Sequence, residues 1–246
     1  FRNKVYGRYF STRFSENAFN KPTREAYERL AIGYDYNYAR LFSKQQLGTR
    51  VLDVACGMGQ CCYWLQKKGF EVEGIDVSLE QLEQAKKICG SGIKFHEADI
   101  FDFLGKEEMK GQYGCIVAND FLEHLTRPEA LQFVDLCFQA LVPGGLVILR
   151  TPNATTPGAG RFYDDVTHER LYTRLSLTQF LNVAGFDTVH VFSYEPYPLR
   201  SIFSSVAWVV KRITWNLYKL RLFLHDFSSQ PCSVGKVIVA VGTKQH

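Results

Sequence analysis

Residues 51 to 59 read Val-Leu-Asp-Val-Ala-Cys-Gly-Met-Gly, a short apolar run that stops on a glycine-bearing loop and leads directly into a helix-forming stretch. A strand covered on both faces has no wet side, so it reads as a near-continuous apolar run and belongs in a sheet sandwiched between helices. The glycines let backbone approach a ligand where a β-carbon would intrude. The same punctuation recurs downstream. Strands are expected at Arg50–Ala55, Glu71–Ile75, Ile93–Glu97, Gly114–Ala118 and Leu146–Thr151, with helices at Gln60–Lys68, Leu79–Cys89 and Glu129–Leu141. Alternation at this spacing implies βαβ units and an α/β fold. Two later runs, Asp187–Phe192 and Lys236–Gly242, bring the expected sheet to seven mostly parallel strands with helices on both faces. Ligands in such sheets bind at the carboxyl ends of the strands, beside the topological switch point.

Three segments follow from this pattern. Residues 1–47 form an N-terminal arm and cap helix, the helix spanning 22–47 with Ala26, Leu30, Tyr34, Tyr38 and Leu41 on one face. Residues 48–192 and 236–246 form the sheet domain. Residues 193–235 are a helical insertion before the last strand, where Ile202, Val206, Val209, Ile213, Leu217, Leu220 and Leu224 step by three or four. Its longest uncharged stretch, Ser201–Val210, is too short to span a bilayer. Three uses of 199–226 remain open: a lid or cover over the sheet, a homodimer seam, or a helix lying on an anionic membrane.

Charge is unevenly placed. From Glu195 onward seven Lys and Arg face two acids, while the whole chain carries only +4. The basic segment suits phosphate, nucleic acid or anionic lipid, and equally a solvated surface. Seven cysteines, mostly in apolar runs and without metal-type spacing, read as reduced, buried thiols of a cytoplasmic protein, with no metal site expected. No signal peptide is visible.

The loop after the first strand is weak evidence alone, because any tight strand-to-helix turn uses glycine. Its sequel adds weight. A second strand ends in Asp76, about 20 residues on, placed to accept both hydroxyls of a ribose. A third ends at Ala98-Asp99-Ile100, where the acid can meet an adenine amino group and Ile100 its ring. NAD is the competing ligand, but position 62 is Cys62 rather than the third glycine of the dinucleotide fingerprint. An acid at the end of the first strand, Asp53, also suits a cation better than a pyrophosphate.

At these residues the chain resembles class I S-adenosylmethionine-dependent methyltransferases. VLDVACGMG is similar to their first motif, EGIDVS to their second and EADIFD to their third; CIVANDFLEHL and LVPGGLVILRTPN are similar to their fourth and fifth strands with the adjoining turns. The resemblance implies a Rossmann-like fold and S-adenosylmethionine as cofactor. It implies Asp53, Gly57 and Gly59 at the methionine end, Asp76 at the ribose, Asp99 and Ile100 at the adenine, and Asn119 near the sulfonium. Ala55 and Val77 flank these positions and join the cofactor-binding set.

The acceptor is expected at two loops: residues 119–124, with Asp120 and His124, and residues 163–170, with Asp164, Asp165, His168 and Glu169. His168 is the first choice of general base, then His124, with Asp120 also in the catalytic set and the neighbouring acids orienting base or acceptor. The second loop carries a narrower resemblance. DVTHERLYTRLSLTQFLNVAGFD is similar to a segment of bacterial methyltransferases associated with surface polysaccharide and O-antigen assembly, a wider group that includes ubiquinone-pathway O-methyltransferases. This implies O-methylation of a sugar or of a lipid-linked or other small acceptor. It also implies a cytoplasmic enzyme with possible contact to the inner membrane face. The rival readings are a catalytically dead cofactor-binding partner, a quinone-type O-methyltransferase, and a nucleic-acid methyltransferase. The last is disfavoured, because the fourth-strand loop lacks an Asn/Asp-Pro-Pro-aromatic amine site.

Overall fold

A computed structural model describes residues 23–42, 50–195, 202–226 and 235–245. Seven strands form one sheet: β1 Arg50–Val54, β2 Glu71–Asp76, β3 Lys94–Glu97, β4 Tyr113–Asn119, β5 Leu141–Pro152, β6 Thr188–Ser193 and β7 Val237–Thr243. Their spatial order is β3-β2-β1-β4-β5-β7-β6. All neighbours run parallel except β7, which is antiparallel to both β5 and β6. The chain reverses its direction of travel across the sheet between β1 and β4, and the crevice there opens at the ends of both strands.

Alternation along each strand divides the core in two. Leu52, Val54, Ile116, Ala118, Val147 and Leu149 face one layer, together with α5 (Arg127–Ala140) and α6 (Arg174–Val183). Val51, Cys115, Val117 and Ile148 face the other, with α1 (Arg24–Tyr38) and α2 (Gln60–Lys67). Helices α3 (Leu79–Cys89) and α4 (Ile100–Leu104) complete the βα units. Local chemistry fixes the helix starts. The Ser78 hydroxyl accepts from Gln81 N, Thr126 and Glu129 form a reciprocal capping box beside Pro128, and Thr173 and Ser176 do the same for α6.

Several expected boundaries move. Strand β5 begins five residues early, at Leu141, because Leu141 already pairs with Tyr113 of β4, and after an irregularity over 142–145 the pairing resumes at Leu146 with Cys115. The N-terminal helix is shorter than 22–47: α1 starts behind the cap Thr23, whose hydroxyl accepts from Ala26 N at 3.2 Å, and tightens into a 3-10 turn over Ala39–Leu41. Its buried face keeps Tyr34 and Tyr38 as expected but differs in the first turns. Tyr27, Ala31, Tyr34 and Tyr38 are buried while Leu30 is exposed, because these aromatic rings pack on Tyr63 and Trp64 of α2. The insertion forms one 25-residue helix, α7 (Ile202–Asp226). Of its aliphatic row, Val206, Val209, Ile213, Leu217, Leu220 and Leu224 are exposed. Among the described residues no helix is long and apolar enough to cross a membrane. Six of the seven cysteines are free and buried; Cys232 and the arm, residues 1–20, lie outside the described residues.

Candidate active site

The cofactor half is built from three consecutive strand ends. After β1 the backbone turns through left-handed conformations at Ala55 (φ 50°), Gly57 (φ 53°) and Gly59 (φ 79°) before α2 begins. A β-carbon on Gly59 would stand 3.0 Å from Ala85 Cβ and 3.3 Å from the Phe95 ring, so this loop is moulded for glycine twice over, by conformation and by space. A left-handed alanine has no such licence, and strain of this kind concentrates at ligand-clamping loops.

Asp76, at the end of β2, accepts from Gly57 N at 2.8 Å through Oδ2 and from Ser78 N at 2.9 Å through Oδ1. Each oxygen keeps one lone pair, enough to receive two vicinal hydroxyls. Burial raises its pKa, against the backbone donors that lower it. Val77, next along, is 53% exposed although apolar, a surface suited to a flat ring. At the third strand end Asp99 already has work, capping α4 by accepting from Phe101 N at 2.8 Å. Ile100 is packed into the core, so its contact with any ligand is limited to an edge.

Asp53 is only 2% exposed, and burial pushes its carboxyl up to about 7 in spite of a 3.1 Å hydrogen bond from the Cys62 thiol. A buried acid of this kind gains most from a cation brought alongside it. Asn119, at the end of β4, accepts from the Tyr38 hydroxyl at 2.7 Å, while its buried Nδ2 has no hydrogen-bond partner. An orphaned buried donor beside glycine-shaped backbone and a cation-seeking acid fits a zwitterionic sulfonium cofactor.

The acceptor half is assembled from segments far apart in sequence. Asp120, another left-handed non-glycine (φ 53°), forms an ion pair with Arg150 of β5. Burial opposes the Arg150 charge, but Asp120 and the surrounding tyrosines hold its pKa well above the ordinary value. Its guanidinium lies 5.2 Å from the Tyr194 ring centroid and 5.9 Å from that of Tyr34. Arg150, Tyr34, Tyr38 and Tyr194 carry no motif, and the sequence reading did not place them in the site. The signal that was available was Arg150 itself, a charge inside an apolar strand.

The fold brings together the two histidines that the sequence offered as alternatives. Their rings meet edge to face at 4.7 Å. His168 Nδ1 lies 2.7 Å from the Phe162 carbonyl, which can only accept; Nδ1 therefore carries a hydrogen, which makes Nε2 the acceptor in the neutral ring. Asp165 Oδ2 stands 3.9 Å from that Nε2, and its Oδ1 is held by the Thr167 amide and hydroxyl. The Thr167 hydroxyl oxygen, its hydrogen given to Asp165, accepts from His124 Nδ1 at 2.8 Å, and burial followed by the neighbouring His168 lowers the His124 pKa. Asp164 and Glu169 are exposed, away from this contact. Buried beneath, Glu123 accepts from the Thr151 hydroxyl at 3.0 Å, and desolvation then the Asp120 charge push its carboxyl up to about 8. Glu123, His124 and His168 place ligand-type atoms within 4.8 Å of one another, a grouping that no sequence spacing announced.

Known proteins share this architecture. Residues 24–191 match the family described as a methyltransferase domain. The chain is similar to a ubiquinone biosynthesis O-methyltransferase of Psychrobacter arcticus, 27% identical over 69% of this chain and 69% of that protein. Other proteins of that description align over 42% to 54% of their own length. Among solved structures, an S-adenosylmethionine-dependent methyltransferase of Archaeoglobus fulgidus superposes with TM-score 0.67 at 20% identity, covering 97% of this chain and 100% of that one. Phosphoethanolamine N-methyltransferase 2 of Haemonchus contortus, in complex with S-adenosylmethionine, does so with TM-score 0.58 at 15% identity, over 97% of this chain and 60% of that one.

Proposed function

The chain belongs to the methyltransferase-domain family and uses S-adenosylmethionine; from that premise we propose that it methylates a hydroxyl oxygen, with His168 as general base. The cofactor supplies an electrophilic methyl carbon on sulfur, and in-line displacement asks the protein chiefly for alignment and exclusion of water. Asp76 holds the ribose hydroxyls, Val77 and the edge of Ile100 flank the adenine, and the free Asp99 oxygen meets its amino group. Asp53, with Ala55, Gly57 and Gly59, seats the cationic methionine end, and the unused Asn119 Nδ2 hydrogen is left for an acceptor of the cofactor such as its carboxylate.

One observation carries the choice of oxygen. Phe162 pins His168 Nδ1, so Nε2 is the accepting nitrogen of the neutral ring, and Asp165 Oδ2, 3.9 Å from it, stabilises the imidazolium formed when a hydroxyl gives up its proton. His124 packs on that ring as a positioning residue, and Asp120 locks Arg150 at the rim.

The acceptor we propose is a sugar hydroxyl, free or lipid-linked, in surface-polysaccharide assembly; the loop 160–190 supports it. A quinol-type phenol is the second reading, favoured by the curated relatives. Product analysis decides between them. Purified protein with labelled cofactor is offered sugar nucleotides, lipid-linked saccharides and polyprenyl catechols, and methyl ethers are located by mass spectrometry. Methyl on nitrogen, or turnover that His168→Ala leaves unchanged, overturns the proposal.

A further inference from the structure

The long excursion between β6 and β7 is rooted at the cofactor edge of the sheet. At one root Asn37 Nδ2 donates to Glu195 O and Glu195 N donates to Asn37 Oδ1, each at 2.9 Å. At the other, Asn153 Nδ2 donates to Gly235 O at 2.8 Å and Asn153 N to Lys236 O at 3.0 Å. Between them lies α7, about 37 Å long at the standard helical rise.

Its surface is unusual for a water-facing helix. Val206, Val210, Ile213, Leu217, Leu220 and Leu224 recur in steps of four and three and share a narrow arc, joined by Val209; these side chains are 48% to 61% exposed. Arg221 lies roughly 60° round the helix from the middle of the stripe, and Arg212 and Lys219 lie roughly 120–140° round on its other side. Residues 196–225 contain five Lys and Arg and not one Asp or Glu.

We infer that α7 docks on an anionic lipid bilayer surface. Charge complementarity selects this occupant. A second copy of the same helix would bring like charges with only the terminal Asp226 to pair them, whereas anionic headgroups meet the basic residues while the aliphatic row enters the acyl boundary. Long basic stems keep their charges at headgroup level as the row descends. Because both roots sit beside the strand ends, docking tethers the domain by the edge of the sheet that carries Arg150 and Tyr194. The inference rests on α7 alone and is read without turnover, so it stands or falls apart from the proposed reaction.

The test is flotation of the full chain with vesicles of phosphatidylcholine alone and of phosphatidylcholine mixed equally with phosphatidylglycerol. The wild type floats with the mixed vesicles. Leu217→Asn with Leu220→Asn lowers that partitioning by about tenfold or more. Arg212→Glu with Lys219→Glu lowers it by about tenfold as well, as does raised salt. All four side chains are exposed, so circular dichroism and cofactor affinity stay at wild-type values. Absence of flotation, or equal capture by neutral vesicles, overturns the inference. So does a dimer, seen by light scattering and dissociated by the asparagine pair, that leaves no stripe for lipid.

Discussion

The two halves of the crevice are made differently. The cofactor half uses strand ends β1, β2 and β3, which follow one another in the chain, and its polar atoms are largely backbone amides and the acids that hold them, as at Gly57, Ser78 and Asp76. The acceptor half draws Arg150, Thr167, His168 and Tyr194 from across the chain, and it leans more on side chains, as where the Thr167 hydroxyl meets His124 and Arg150 faces the Tyr194 ring. Short-range construction makes the first half robust and generic. Long-range construction makes the second adjustable, which is where relatives of one fold diverge in what they methylate.

This contrast predicts a separation of effects. His168→Ala should lower kcat by roughly a hundredfold to ten-thousandfold while the S-adenosylmethionine dissociation constant stays put, since the loss is of proton transfer; single-turnover kinetics with calorimetry checks it. If cofactor affinity falls equally, the halves are not separable. Asp76→Ala should do the converse, weakening cofactor binding by roughly a hundredfold through loss of two charge-assisted hydrogen bonds, with the fold intact by circular dichroism.

The pH dependence of Asp53 sharpens the comparison. In the cofactor-free fold its carboxyl holds a proton up to about pH 7 that the unfolded chain has lost, so stability falls as pH rises from about 4 toward 7. Asp53→Asn should remove part of that slope and raise Tm at pH 8 by roughly 5 °C, leaving the portion contributed by Glu123. Cofactor binding should release protons near pH 6.5, visible as buffer-dependent enthalpy, and the variant should release fewer. The smallest effect is expected of Tyr38→Phe, which removes one 2.7 Å bond to Asn119. A loss of about 1 kcal/mol, or roughly fivefold in kcat/KM, should follow, measured with the acceptor that turns over.

Legibility followed the same division. The β1 loop, Asp76 and the strand order of the first βα units could be read from Val51–Gly59 and Glu71–Asp76, because apolar runs, glycines and terminal acids sit within a few residues of each other. Asp99 could be read as a site residue but not its capping bond, which depends on where α4 starts. Tyr34 and Tyr38 were read correctly on the buried face of α1, but its first turns were misplaced by one residue, with Tyr27 and Ala31 inside in place of Ala26 and Leu30, because tyrosines serve a core as well as leucine does. His124 and His168 were both visible; their contact was not, since 44 positions separate them.

Local chemistry alone thus determined an α/β sheet, a glycine-moulded cofactor loop, the ribose-type acid and a basic amphipathic helix. Tertiary structure alone decided that two histidines touch, that Arg150 is clamped by Asp120 among tyrosines, and that the aliphatic row of α7 is left exposed. The reason is range. Turn and strand propensities act over a few residues, whereas the tautomer of His168, the charge state of Glu123 and the exposure of a helix face are set by groups that only the closed fold brings near.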